Sequence, residues 1–194
     1  MMNDIFLENL VPRKKDAKDK AIIVLVVLAG VVLTVVLLML MFGLSMAAMS
    51  SDQMRSMSSM TFSIGLLLVA AVWYGVYRII NSRNVEYEYI VTNSELDIDK
   101  VMSKRGRKHL ITIDVKNASC MGRIDDDSCN SVYKNPPEGV KILDYSANSK
   151  TSFTYFIDCR VDETRNIVLC QLTNKMAEGL WRYNPKCIKR YIND

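Results

Sequence analysis

The sequence has few of the residues on which catalysis and metal binding usually depend. Its 194 residues include one histidine, His109, and five cysteines, none of which forms a Cys-x-x-Cys pair. It also lacks a Walker loop, a dinucleotide-binding glycine fingerprint and a nucleophile elbow. These absences argue against zinc and redox motifs, nucleotide-dependent enzymes and serine hydrolases. We therefore predict no catalytic residue, no metal site and no cofactor.

Two features could still be interpreted as a site. His109 is expected at the start of a strand beside a basic turn, with no Cys or Asp partner recognisable in the sequence, and a single histidine on a strand is usually structural or solvated. Residues 125–127 are three consecutive aspartates. Calcium loops need alternating carboxylates and a closing glutamate, so we interpret this run as a solvated loop.

Charge is also missing from two long segments. Residues 21–42 are uncharged and contain one polar side chain, Thr34, while residues 61–80 are apolar apart from small hydroxyls and Arg78. A membrane-spanning helix needs about 20 apolar residues, so we predict two spans, at about 21–42 and 61–80. A cleaved signal sequence is the alternative for the first, but its apolar core would be only about 7–15 residues long. A buried helix of a soluble protein rarely stays apolar on every face.

The distribution of cations predicts how the spans are oriented. Five cations precede the first span: Arg13, Lys14, Lys15, Lys18 and Lys20. The connector 43–60 contains only Arg55, and Arg83 follows the second span. Because cytoplasmic loops carry the excess of Lys and Arg, we expect a cell-membrane protein with two spans, both termini in the cytoplasm and a short polar loop outside.

Aromatic residues and a cation cluster at the end of the second span. Trp73, Tyr74 and Tyr77 are amphipathic rings that favour the headgroup level, and Arg78 can extend its charge to the same interface. We predict these four residues to be membrane-interface anchors. No carboxylate, lysine or histidine lies within either span, which argues against an ion pathway and a transporter.

Small residues four apart occur in both spans. Gly30 and Thr34 form one such pair, and Ala71 and Gly75 form the other. Faces of this kind let helices approach closely. They could pack the two spans together or join two copies of the chain, so a homo-oligomer remains open.

The remaining residues, 84–194, are expected to form the only globular domain. They contain 17 Lys and Arg against 16 Asp and Glu, a net charge of +1, and this balance gives no reason to expect a nucleic-acid partner. The predicted organisation is a cytoplasmic basic tail (1–20), a transmembrane hairpin (21–83) and a cytoplasmic domain (84–194).

Alternation of apolar and polar residues predicts strands in this domain. Residues 85–91, 96–98 and 111–115 alternate and are separated by turns, which predicts a three-stranded antiparallel meander. Further strands are expected at 141–146 and as a hairpin of 153–161 with 167–172. Spacing then becomes helical at about 174–183, after Thr173 as N-cap, and Asn184-Pro185 is expected to restart a helix.

The cysteines are expected to be reduced. Cys159 and Cys170 should lie on the same face of paired strands, opposite or diagonal to each other. In a cytoplasmic domain they are better explained as small core residues than as a disulfide.

The segment EYIVTNSELDIDKVMSKRGRKHLITIDVKNAS, residues 88–119, resembles the opening of bacterial PH-like (pleckstrin-homology-like) domains. Two spans before such a domain also resemble a family of small uncharacterised bacterial two-span membrane proteins. The resemblance implies an α+β fold in which a transmembrane hairpin is followed by a PH-like antiparallel β-sheet or barrel closed by a C-terminal helix. The long irregular region 117–139 departs from it and leaves the strand count there open.

The basic turn between the second and third predicted strands is the candidate binding site. Its cations are Lys104, Arg105, Arg107 and Lys108. A strand of eight residues leads away from the membrane for roughly 26 Å and the next one returns, so this turn should lie at the membrane-proximal end. It could hold anionic lipid or be a solvated tip. We expect a non-catalytic membrane-anchored module for protein interaction or scaffolding, with direct recognition of anionic lipid as the alternative.

Overall fold

A computed structural model gives the fold of the chain. It describes residues 4–48, 52–103, 106–127, 129–161 and 164–191, without the side chains of residues 52–59 and 61. The chain divides into two compact units. The helical unit is Lys15–Arg83, and the sheet unit combines Met1–Lys14 with Asn84–Asp194.

The helical unit consists of two long helices, α1 (Ala17–Ala48) and α2 (Asp52–Ser82). Two segments within them, Ala17–Ala47 and Phe62–Ser82, are long and apolar enough to cross a membrane. Both helices continue past the predicted spans. The connector 43–60 is therefore largely helical, which differs from the polar loop expected from its Met- and Ser-rich sequence.

Small residues bring the two helices together. A Cβ atom added at Gly30 of α1 would lie 2.8 Å from Cγ2 of Val76 in α2, so a larger residue at this position would collide. The Thr34 hydroxyl donates to the Gly30 carbonyl within the same helix at 2.8 Å. The Cβ position of Gly75, by contrast, has nothing within 4 Å. The Gly30 face therefore packs α1 on α2, whereas the Gly75 face does not.

Sheet A confirms the predicted meander and adds a strand to it. It is antiparallel and its strand order is β1-β2-β3-β4. The four strands are Phe6–Pro12, Val85–Thr92, Glu95–Met102 and Gly106–Asp114. The first of them lies in the segment that we expected to be a basic tail. Residues 6–12 instead pair with β2 along their whole length, from Phe6 opposite Thr92 to Pro12 opposite Glu86.

Sheet B contains the later strands, in the order β5-β7-β8-β6. In chain order these are Cys120–Arg123, Lys141–Asp144, Thr154–Val161 and Thr164–Gln171. The predicted hairpin is β7 with β8. β6 pairs in parallel with β8, while the other pairs of this sheet are antiparallel.

Three short helical segments complete the sheet unit. They are a 3₁₀ turn at Val115–Asn117, α3 (Ser131–Lys134) and α4 (Asn174–Trp181). Thr173 caps α4 as predicted, since its hydroxyl accepts from the Met176 amide at 3.3 Å.

The helix predicted to restart at Asn184-Pro185 is a turn instead. This difference is explained by a tertiary contact, because the Asn184 side-chain amide donates to the carbonyls of Val115 and Ala118, at 2.9 and 3.1 Å. The residue therefore ties the end of the chain to the segment after β4.

The main core lies between the two sheets and α4. Its fully buried members come from all three: Tyr89, Val91, Leu96, Ile98, Tyr155, Ile157, Val168, Cys170, Met176 and Leu180. Leu180 is fully buried as predicted, whereas Trp181 is only partly buried. The Trp181 ring lies under the Arg190 guanidinium, whose carbon is 4.7 Å from the ring centre.

The irregular region 117–139 covers the second face of sheet B. Phe156, Ile167 and Leu169 point to that face and are buried there by residues that include Val132 and Tyr133. The Tyr133 ring stacks on Phe156 with their centres 6.4 Å apart. The long loop therefore shields an apolar face of sheet B from solvent.

Cys159 and Cys170 are both buried in the main core and are free thiols. Cys159 pairs with Asn166 and Cys170 with Tyr155, so they share a face but are neither opposite nor diagonal. The prediction of their offset was wrong because β8 already pairs with β7 at Thr164 and Arg165, which the sequence had assigned to the turn. Burial raises the pKa of Cys159 to about 12, and it also raises the pKa of Cys170.

Candidate functional site

The chain leaves the sheet unit and returns to it at one place. The Arg13 amide donates to the Val85 carbonyl at 2.9 Å, and the Lys14 amide donates to the Ala147 carbonyl at 2.8 Å. The last residues before α1 and the first residues after α2 are therefore hydrogen-bonded neighbours. They mark one end of sheet A.

The basic turn lies at this same end. Met102 pairs with Val85 on one side and with Gly106 on the other, and the Ser103 amide donates to the Asn84 carbonyl at 2.9 Å. Ser103 has a positive φ of 53°, as tight turns require. Two of the four candidate cations, Lys104 and Arg105, lie outside the described residues.

The other two candidate cations have different surroundings. Lys108 is exposed. Arg107 forms ion pairs with two carboxylates on the outer face of sheet A, at 2.5 Å to Glu88 Oε1 and 3.7 Å to Asp99 Oδ2. Arg107 is therefore bound to its own sheet, whereas Lys108 has no ion pair with the residues that the structure describes.

His109 has a partner that the sequence did not reveal. A bulge at Leu110 of β4, opposite the Ile98–Asp99 step of β3, places His109 opposite Asp99, and their Nδ1 and Oδ1 atoms are 2.8 Å apart. Thr112 Oγ1 lies 3.2 Å from His109 Nε2. Asp99, His109 and Thr112 therefore contact one another in the same sequence as the acid, the base and the hydroxyl of a hydrolase triad.

The geometry of this trio does not fit nucleophilic catalysis. The Thr112 hydroxyl donates to Asp97 at 2.5 Å, so its proton is directed away from His109. The His109 side chain is also more than half exposed, at 56%. A nucleophile needs its base as the proton acceptor in a site that excludes water. The trio is better explained as cross-strand pairing on the outer face of a sheet.

Glu88 is the buried carboxylate of this face. Only 2% of its side chain is exposed, and its Oε2 atom has no hydrogen-bond donor among the described residues. Burial raises the pKa of Glu88, the neighbouring Glu8 carboxyl raises it further, and the Arg107 guanidinium acts in the opposite direction. Glu8 of β1 and Glu88 of β2 therefore form a carboxyl pair across two strands.

The three aspartates contribute to loop structure. Asp126 accepts hydrogen bonds from Lys189 at 2.6 Å and from the Tyr191 hydroxyl at 3.1 Å. Asp127 accepts one from Lys134 at 2.6 Å, and this bond is the main cause of its lowered pKa. No metal-binding group of three or more acidic, His or Cys residues is found in the part of the chain that the structure describes.

The four predicted interface anchors are exposed near the C-terminal end of α2. Trp73, Tyr74 and Tyr77 are 41%, 64% and 56% exposed, and Arg78 is exposed beside them. This leaves their rings accessible to whatever surrounds the helix. Their role as anchors stays a prediction.

Apolar exposure on the sheet unit concentrates around β1. Among the described residues of this unit, the exposed large apolar side chains are Phe6, Leu10, Met102, Ile142 and Phe153. Phe6 and Leu10 belong to β1. Phe153 lines a cleft of about 250 Å³ together with Asn9, Val11, Thr151, Gln171, Leu172, Thr173 and Asn174. This region was not predicted, because residues 1–20 were interpreted as a basic tail.

Comparison with known proteins agrees with the fold. Residues 3–190 match the family model described as Bacterial PH-like domain (DUF6106). No curated protein and no solved structure matches the chain significantly. The matched region includes β1, both long helices and all of the described sheet unit from β2 to the turn after α4. The chain thus belongs to the bacterial PH-like domain family DUF6106.

Proposed function

We propose that this protein is a non-catalytic, membrane-anchored binding module whose sheet unit engages another protein at the inner face of the cell membrane. The observation that carries the anchoring part of the proposal is the hydrogen-bonded junction of β1 with β2, where the Arg13 amide donates to the Val85 carbonyl at 2.9 Å. A segment whose two ends are joined in one sheet starts and finishes on the same side of a bilayer. It must cross an even number of times, as two spanning helices do.

Family membership supports the binding part of the proposal, because PH-like domains are generally non-catalytic binding modules. In this proposal α4 closes one end of the paired sheets, with Met176 and Leu180 as its buried face. The exposed apolar side chains Phe6, Leu10 and Phe153 are the kind of surface that protein partners cover.

The topology of the proposal can be tested on intact cells. A cysteine introduced at Ser56, between the two candidate spans, should react with a membrane-impermeant thiol reagent, because the cations flanking the helices predict an external connector. The partly exposed native cysteines, Cys120, Cys129 and Cys187, should not react until the membrane is permeabilised. Labelling of the native cysteines in intact cells, with Ser56→Cys protected, would reverse the orientation.

The interaction itself can be tested by site-specific photo-crosslinking of the full chain in its native membrane. A photoreactive residue would be placed in turn at each exposed apolar position, namely Phe6, Leu10, Met102, Ile142 and Phe153. We expect a discrete protein adduct from at least one of them. Adducts that join two copies would indicate a homo-oligomer, and the absence of any adduct would contradict a protein-interaction role.

A second candidate function is recognition of anionic lipid by the basic turn. It is favoured by the position of the turn, whose Ser103 amide bonds to Asn84 directly after the helical unit. Each Lys or Arg near an anionic leaflet contributes about 1 kcal/mol. Since Arg107 is paired with Glu88 and Asp99, the binding would depend on Lys104, Arg105 and Lys108.

Replacing Lys104, Arg105 and Lys108 with Gln should remove this lipid contact. In nanodiscs containing anionic lipid, we expect the turn amides of the parent protein to exchange hydrogen more slowly than in neutral nanodiscs. The difference should vanish in the triple variant and should shrink at high salt, because the attraction is screened over about 10 Å at 0.1 M. Hydrogen-exchange mass spectrometry of the full chain measures it.

The matched control changes three cations at the other end of the sheet unit. Lys116, Arg182 and Lys186 are exposed there, close to the turn held by the Tyr183–Asn93 hydrogen bond of 3.1 Å. Their replacement by Gln removes the same charge and should leave the exchange of the basic turn unchanged. Equal protection in anionic and neutral nanodiscs for the parent would leave the turn as a solvated tip.

A further inference from the structure

β1 is an edge strand with an unpaired side. Among the strands that the structure describes, it is hydrogen-bonded only to β2. Bonded residues alternate along an antiparallel pair, and the bonds at both ends set the phase: the Asn93 amide donates to the Ile5 carbonyl and the Arg13 amide to the Val85 carbonyl, both at 2.9 Å. The odd-numbered residues of β1 therefore bond to β2. The backbone groups of Phe6, Glu8 and Leu10 are directed to the open edge.

This edge lacks the devices that usually prevent strand addition. Natural edge strands are protected by lysines, bulges or prolines along their length. The opposite edge of sheet A, β4, has such devices in a bulge at Leu110 and the cations Arg107 and Lys108. β1 has the sequence FLENLVP, with a single proline at its end, no lysine and no bulge. Its Phe6 and Leu10 side chains are exposed.

An apolar cleft lies beside the open edge. Val11 of β1 lines it together with Phe153, which is 49% exposed, and Leu172. Its volume of about 250 Å³ is below the roughly 300–1,000 Å³ of small-molecule sites. The cleft therefore suits apolar side chains of a longer partner better than a complete small ligand.

The outer face of β1 and β2 is acidic. Glu8 on β1 is diagonal to Glu88 on β2, Glu86 lies further along β2 opposite Pro12, and the cation paired with Glu88, Arg107, comes from β4. Glu88 is almost fully buried, and its Oε2 atom has no donor in the described part of the chain. A lysine or arginine placed opposite Glu8 would neutralise that carboxylate and supply a donor beside the carboxyl pair.

We propose that β1 accepts an extended strand of a partner protein in which lysine or arginine alternates with apolar residues. The backbone of this strand pairs with Phe6, Glu8 and Leu10 and extends sheet A by β-augmentation. Its cationic side chains face Glu8 and Glu88, and its apolar side chains, on the other face, enter the cleft beside Val11. The inference rests on the proposed protein-binding function and names the surface and the chemistry of the partner.

The probe is a blocked, fluorescein-labelled heptapeptide that alternates valine and lysine. It would be titrated by fluorescence anisotropy into the full chain in nanodiscs of neutral lipid, so that lysine has no anionic membrane to bind. We expect saturable binding of this peptide and at least about tenfold weaker binding of two controls. One control has the same composition with the lysines and valines in separate blocks, and the other alternates valine with glutamate. Equal binding of the block peptide would mean general charge attraction and would overturn the proposal.

N-methylation of the peptide tests the backbone pairing without changing the protein. In a strand, alternate amides point to opposite edges. Methylation of the set that faces β1 should weaken binding by about tenfold or more, because those hydrogen bonds are lost. Methylation of the other set should have little effect. Similar losses from both sets would rule out pairing with β1.

A third experiment changes the open edge of the protein instead of the peptide. Leu10→Pro removes one amide from the open edge while keeping the bonds to β2, which involve the neighbouring Asn9 and Val11, and Leu10→Thr is the control that keeps the amide. Only Leu10→Pro should weaken binding. Because proline can disturb folding, both variants are compared with the parent by thermal unfolding. If Leu10→Pro is unfolded, the N-methylated peptides decide the question of backbone pairing instead. A dimer in the parent that dissociates in Leu10→Pro would show a second copy at this edge and overturn the proposal.

Failure of the β1 proposal can be distinguished from failure of the proposed protein-binding function. Photo-crosslinks to a partner from Ile142 or Met102, with no specific binding of the alternating peptide, would retain the binding module and reject the β1 surface. Absence of crosslinks from all five positions would contradict the binding function itself.

Discussion

Deleting residues 1–12 should unfold the sheet unit, although this segment is separated from the rest of the sheet by both long helices. Ile5, Leu7 and Val11 are partly buried and pack against the main core. Losing three such side chains costs about 1 kcal/mol each, and losing the β1–β2 hydrogen bonds adds to this. We expect a total of about 4 kcal/mol or more, which is large against a typical stability of about 5–15 kcal/mol.

The measurement uses a version of the protein without the helical unit. Since the Arg13 amide and Val85 carbonyl are 2.9 Å apart, a Gly/Ser linker of about four residues can join Lys14 to Asn84 as an ordinary hairpin loop. This version should be water-soluble and show one cooperative thermal transition by circular dichroism. The same version without residues 1–12 should show no transition or a much lower Tm.

Two results would contradict this expectation. Equal Tm values with and without residues 1–12 would show that β1 contributes nothing to the fold. Failure of the linked version to fold would show that the sheet unit depends on the helical unit. A further control, Phe6→Thr, alters an exposed side chain of the same strand, 67% accessible in the structure, and should leave the Tm almost unchanged.

The β1–β2 connection explains how the anchor and the domain are combined. In a meander, neighbouring antiparallel strands are usually joined by about two to five residues. Here the connection contains the whole helical unit, Lys15–Arg83. The sheet unit is therefore attached to the proposed membrane anchor by two chain segments that are hydrogen-bonded to each other. Such a double attachment restricts rotation of the domain more than a single flexible linker does.

Strands with regular alternation were predictable from sequence. In β2 and β3, Tyr89, Val91, Leu96 and Ile98 are fully buried at every second position, and the segments between them contain turn residues such as Asn93. Both faces of β7 and β8 are buried, yet the alternation along residues 153–161 and the turn signal after it were sufficient to predict this hairpin. Local pattern and tertiary packing agree in these strands.

β1 was missed because its pattern is ambiguous. Its outer face carries Phe6 and Leu10 and its inner face Leu7 and Val11, so apolar residues occur on both faces and no alternation is visible. The basic residues that follow directed the interpretation toward a membrane flank. Only the pairing with β2, 80 or so residues later in the chain, identifies the segment as a strand, and such long-range pairing is not encoded locally.

The candidate site was predictable from sequence only in part. The position of the basic turn followed from strand lengths, and the register agrees with it. The pairing of Arg107 with Glu88 and of His109 with Asp99 could not be predicted from strand lengths. Both pairs depend on the bulge opposite the step from Ile98 to Asp99. A one-residue shift changes which face a side chain occupies. The four cations were therefore predicted to be equivalent, whereas one of them, Arg107, forms ion pairs with carboxylates of its own sheet.

Changing Leu180 to Asp should unfold the sheet unit even in the full chain. Leu180 is completely buried in the main core beside Met176 and the strands of both sheets. Asp at this position would bury a charge without a partner and would remove apolar contacts, which together cost several kcal/mol. Hydrogen-exchange mass spectrometry of the protein in detergent should then show loss of protection in β2, β7 and β8. The amides of α1 and α2 should keep theirs, because the helical unit has its own contacts at Gly30 and Val76.

The matched control places the same residue on the same helix. Lys175 is exposed in the first turn of α4, where an acidic side chain is favoured by the helix dipole. Lys175→Asp should therefore leave the protection of β2, β7 and β8 at the parent level, and Leu180→Ala should give a partial loss, since truncating a buried leucine costs about 2–5 kcal/mol. Parent-like exchange in Leu180→Asp would mean that α4 is not part of the core, and that the C-terminal helix does not close the paired sheets.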